Sequence, residues 1–154
     1  MLALTLALSV GCASMPRVQP LPDRVEMATD HVVAVTGNLQ QLLTMAAQVV
    51  EHVSRIEDAA ARSGAIPQAV DAQFDAAMLA YADVSQRASD ALVSGALKTW
   101  PELRALVEPV LARGQALIEA TADIGAIRTR VQAFLVQLRD LLSAAAGEFL
   151  MARG

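Results

Sequence analysis

Asp71 and Asp75 stand one helical turn apart, and Glu57 and Asp58 are adjacent a short way before them. Paired carboxylates at such spacing hold a hard cation or perform acid–base work. Either task asks for more: a third ligand, a Gly-turned ligand loop, or an apolar pocket around one carboxyl. The local sequence signals none of these, so the four acids read as a solvated helical face. The two histidines, His31 and His52, lie 21 residues apart. Along one helix that is about 30 Å, so they cannot share an ion, and each is expected at a solvated or bundle-edge position. No serine has a nucleophile-elbow context, and no glycine-rich phosphate loop occurs. No catalytic residue, cofactor or metal is therefore expected. One reactive group remains, the single thiol of Cys12.

The context of Cys12 is a processing signal. Leu2 to Val10 is an apolar run without a charge. It falls short of the roughly 20 residues a spanning helix needs and has the length of a signal-peptide core. Leu8 and then Ser9-Val10-Gly11-Cys12 close the run. The small side chains of Ser9 and Gly11 let a peptidase approach the backbone, and the thiol is a nucleophile able to accept lipid. The stretch resembles the lipobox of bacterial lipoproteins, although Ser9 stands where that class usually has leucine and nothing before Cys12 is charged. The resemblance covers about the first dozen residues. It implies that residues 1–11 are a signal peptide, that Cys12 receives a diacylglyceryl group of the palmitate type, and that cleavage follows before Cys12. Ala13 stands where aspartate commonly means inner-membrane retention in the Gram-negative class. That implies an outer-membrane anchor facing the periplasm if the host is Gram-negative.

The elements that follow are helical. Residues 12–22, with Pro16, Pro20 and Pro22, read as an extended tether, since proline cannot join a helix ladder. A first helix over about 23–63 opens on the capping-box spacing of Asp23 and Glu26. Its seam repeats every seven residues, through Val25, Val32, Leu39, Ala46, Val53 and Ala60 in one row and Ala28, Val35, Leu42, Val49 and Ile56 in the other. That repeat argues helix-on-helix packing. Leu43, Met45 and Val50 widen the face, as contact with two neighbours would require. Gly64 suits the left-handed position that ends the helix, and Pro67 suits the first turn of the next. The second helix, about 67–94, carries Val70, Phe74, Ala77, Tyr81, Val84, Ala88 and Ala91 and stops at Gly95. The third, about 100–152, starts behind Thr99, with a kink expected near Pro109. Its seam runs from Leu103 to Phe149, and Gly114, Thr121 and Arg128 should loosen the middle. Arg128 is expected at the edge, with Ile124 and Ile127 inside. The fold class is all-α, an elongated up-down-up three-helix bundle with coiled-coil-like packing over residues 23–154.

Composition supports that class. Hydrophobic residues make up 55% of the 154, yet aromatics only 3%, so the apolar content is chiefly Ala, Leu and Val. Such a mixture suits close-packed helices better than sheets. A net charge of -4 without a basic patch argues against nucleic acid and against adhesion to anionic lipid by charge alone. The function that fits is a non-enzymatic, membrane-anchored envelope lipoprotein. It would meet the membrane through lipid on Cys12 and a protein partner, or its own copies, through helical faces such as those of Val33, Leu43 and Val50. The alternative is a membrane-active lysis or exclusion lipoprotein of the phage type. The body is similar in composition, though in no diagnostic motif, to small prophage and envelope lipoproteins. A second span at Phe134 to Met151 is disfavoured by Arg139, Asp140 and Glu148.

Overall fold

A computed structural model describes residues 21–95 and 100–153, with side chains at 34–95 and 101–148. The chain is all-α, with four helices: α1 (Leu21–Arg62), α2 (Gln68–Ser94), α3 (Trp100–Ala122) and α4 (Arg128–Arg153). Among the four packed pairs α1 against α4 is the most extensive, followed by α2 against α3, then α3 against α4, then α1 against α2. Side-chain pairs fix the directions. Asn38 donates to Glu148 at 3.2 Å, and His52 stacks on Phe134 with ring centroids 5.6 Å apart. The α1 number rises as the α4 number falls, so these helices run antiparallel. The bundle is up-down-up-down, each helix antiparallel to its neighbours in the ring.

Four helices replace the three read from sequence. The expected helix over 100–152 ends at Ala122 and resumes at Arg128. Ile124 N–H donates to Thr121 O at 3.1 Å and Arg128 N–H to Ile124 O at 3.0 Å, closing a tight turn. Ile124 and Ile127 are both buried and pin that turn to the core. Pro109 does not split α3, which runs through it with the proline on the exposed side. Carbonyls on a helix's solvent side can turn to water, so a missing N–H costs less there. α1 also includes Leu21 and Pro22, which the sequence reading placed in the tether.

The α1–α2 connection follows its residues closely. Gly64 takes φ 76, Ala65 N–H donates to Ala60 O at 2.9 Å and Gly64 N–H to Ala61 O at 3.0 Å. This paired bonding is the Schellman cap, which needs a left-handed residue at the glycine. Ile66 is buried beneath it, and Pro67 sits just before α2 in an extended conformation, one position earlier than expected. Gly95, at φ 65, ends α2 as its sequence position suggests.

The core is one continuous cluster. Val35, Leu39, Ala46, Val49, Val53 and Ala60 of the α1 seam are buried, with Leu42 and Ile56 packed beside them. Phe74, Tyr81 and Ala88 come from α2, Leu103, Val110 and Leu117 from α3, and Val131, Leu138 and Ala145 from α4. Gly114 and Thr121 do not loosen the α3 seam. A side chain at Gly114 would collide with Leu142 and lie 3.3 Å from Tyr81 Cε2, so the glycine admits Leu142 of α4 against α3 and leaves room for the Tyr81 ring beside it. Thr121 is buried with its hydroxyl donating to Leu117 O at 2.7 Å, which satisfies it inside the core.

Candidate functional site

Leu43, Val50 and Glu57 form one row of α1, seven residues apart, turned toward α2. Leu43 and Val50 are buried. They line a groove of about 360 Å³ between α1 and α2, with Met78 and Tyr81 opposite and Glu51 and Gln86 at its edge. This corrects the expectation that Leu43 and Val50 are outward faces for a partner: their neighbour is α2. Val33, the third residue of that set, lies outside the described side chains.

Glu57 is the next residue of the row, and its position is the largest departure from the sequence reading. It was expected on a solvated face beside Asp58. Asp58 is exposed, but Glu57 has 0% exposure. In the charged form neither of its carboxylate oxygens has a hydrogen-bond donor among the described residues. Carboxylate oxygens of Glu57, Asp71 and Asp75 all lie within 4.8 Å of one another. The helical hairpin makes this meeting: Glu57 stands in the second-last turn of α1, and Asp71 and Asp75 in the first two turns of α2. The third carboxylate that the sequence reading could not find for Asp71 and Asp75 thus comes from the neighbouring helix. The available signal was the widened face itself, since extending Leu43 and Val50 by seven residues lands on Glu57.

The electrostatics follow from that packing. Burial, then the proximity of Asp71, raise the Glu57 pKa from 4.5 to about 7, and the charges of Asp71, Asp75 and Asp58 push the same way. Asp71 lies near enough to share a proton with Glu57 when no cation is present. Chemically, three oxygen donors of one sign with one member fully desolvated suit a proton or a hard cation.

The other candidates are dispersed. His52 is exposed at the α1–α4 edge on Phe134, as expected of a bundle-edge histidine. Arg128 is exposed while Ile124 and Ile127 are buried, so the charge stands outside the seam. Tyr81 is buried; burial pushes its phenol pKa up, and Ser85 beside the hydroxyl works the other way. Glu51 with Arg55 and Asp83 with Arg87 form exposed ion pairs one helical turn apart. Cys12 and Thr99 lie outside the described residues, and His31 and Trp100 fall where the backbone alone is described. No helix among the described residues is long and apolar enough to cross a membrane. No family model, curated protein or solved structure matches the chain.

Proposed function

We propose that this chain is a lipid-anchored bacterial envelope protein whose helical bundle serves as a structural or protein-interaction module. The observation that carries the reading is the apolar run Leu2 to Val10 closing on Ser9-Val10-Gly11-Cys12. A run of this length directs export without spanning a bilayer. A cysteine behind small residues is where a lipoprotein receives its lipid. One acyl chain binds a membrane only reversibly, so a diacylglyceryl cysteine with a further acyl group is a stable anchor. The prolines after Cys12 would hold the bundle away from the bilayer surface.

Support for the interaction role comes from the outer face of α2. Leu79 is 72% exposed and Val93 64%. They lie 14 residues apart, which places them on one side of the helix about 21 Å from each other. A partner helix laid along α2 would cover both.

The test is metabolic labelling with a radiolabelled or clickable fatty acid in a bacterial host, on the full chain and on Cys12→Ala, followed by membrane fractionation. Label and membrane association in the wild type, both lost in the variant, are expected. Absence of label from both proteins would remove the anchor. For the interaction role, crosslinking in intact membranes is compared between wild type and a Leu79→Glu, Val93→Glu double variant. Identical crosslinked species in the two would dismiss the α2 face.

A further inference from the structure

We propose that Glu57, Asp71 and Asp75 form a divalent-cation site that ties the end of α1 to the start of α2, and that calcium is the ion it fits. The proposal stands apart from the lipid anchor and rests on the geometry of the first helical hairpin.

The decisive observation is Glu57. A carboxylate fully withdrawn from water, with both oxygens lacking a donor, is costly unless something positive meets it. Its charged neighbours are Asp71, Asp75 and Asp58, all acidic, so no countercharge meets it among the described residues. An arginine or lysine would have been the ordinary structural answer, and none of the described ones acts there. The oxygens of Asp71 and Asp75 are gathered toward Glu57 instead.

Ligand number selects among cations. The oxygens of three carboxylates, one of them fully buried, are gathered within 4.8 Å of one another. Calcium takes several carboxylate ligands in flexible geometry, whereas magnesium demands a near-ideal octahedron, dehydrates reluctantly and is usually held by one or two carboxylates, so the set fits calcium better. The unequal burial fits as well. Glu57 is buried, Asp71 partly buried and Asp75 exposed, so the ion would be reached from solvent past Asp75. Water would complete the coordination sphere there. Three side-chain ligands and open water positions resemble the weaker calcium sites, with Kd of roughly 10⁻⁴ to 10⁻³ M.

The experiment is isothermal titration calorimetry of the chelator-treated full chain with CaCl₂ and, separately, MgCl₂, each to about 10 mM, an order above the weakest expected Kd. Thermal unfolding is followed at the same concentrations. One calcium per chain is expected, with a rise in Tm that saturates with it. Glu57→Gln, Asp71→Asn and Asp75→Asn should each weaken calcium binding at least about tenfold, as removal of an anionic ligand does at oxygen-only sites. Asp75 is exposed, so its variant tests the site without risk to folding. No saturable calcium binding in the wild type overturns the site, as does binding that the Asp75→Asn variant leaves unchanged. Magnesium bound more tightly than calcium overturns the assignment of the ion.

Discussion

Glu57 is a single residue whose protonation sets a measurable part of the stability of the metal-free chain. Its pKa is 4.5 in an unperturbed setting and about 7 in the fold. Between those values the folded chain holds a proton that the unfolded chain has released. Stability is therefore highest below about pH 4.5, as far as this group is concerned, declines as pH rises, and levels off above about pH 7. At roughly 1.4 kcal/mol per pH unit the full change is on the order of 3 kcal/mol. Urea unfolding in EDTA at pH 5 and pH 8 should show the lower stability at pH 8, and Glu57→Gln should flatten the difference. A wild-type chain more stable at pH 8 than at pH 5 would contradict the burial argument. Tyr81 makes the converse point. Its ring packs beside Gly114, and its buried hydroxyl has Ser85 near it but makes no hydrogen bond of good geometry. Tyr81→Phe keeps the ring and removes an unsatisfied group, so it should be neutral or stabilising by up to about 1 kcal/mol in the same unfolding assay. A loss above that size would mean the hydroxyl is bonded in solution.

At the scale of the element, glycines with different backbone demands give opposite expectations. Gly64 caps α1 at φ 76, where an L side chain is strained although nothing lies within 4 Å of it. Gly64→Ala should cost about 1 kcal/mol. Gly37 lies inside α1, exposed and with open space around it, so Gly37→Ala should add about 0.5–1 kcal/mol. The two denaturant midpoints moving in the same direction would show that α1 does not end as described. The same contrast explains what the sequence revealed. The cap at Gly64, the stop at Gly95 and the α1 seam were legible because each depends on neighbours in sequence. The break at residues 123–127 was not, because Leu117, Ile124, Val131 and Leu138 are buried on both sides of it and keep the seven-residue spacing across the turn. A periodic signal cannot show a reversal that preserves the period. Length was the better clue. A helix of roughly 50 residues would overhang α2, which is about 40 Å long, by more than 30 Å, while two shorter helices match it. The candidate site was half legible for the same reason. Asp71 and Asp75 share a local spacing, but Glu57 joins them only through the pairing of two helices.

For the whole molecule, the arrangement of contacts decides whether the bundle unfolds as one body. α1 and α2 are joined by only five residues, yet of the four packed pairs in the ring theirs touches least, and α1 leans on α4, the most distant helix in sequence. The first and last helices thus close the ring, and each of the four contributes buried residues to one cluster. Damage to α1 should therefore be felt by α3, with which it makes no major contact. Leu39 of α1 has 0% exposure, and its replacement by alanine should cost about 2–5 kcal/mol. The chain has a single tryptophan, Trp100 at the start of α3, so its fluorescence reports on that helix while far-UV circular dichroism reports on all four. In Leu39→Ala the two signals should move together to a lower denaturant midpoint and remain superimposable, as a single cooperative transition requires. Loss of part of the helical signal at low denaturant, with the Trp100 transition left at its wild-type midpoint, would show that α1 detaches alone. The ring closed by α1 and α4 would then be a weaker constraint than its packing indicates, and α2–α3 would be the cooperative unit.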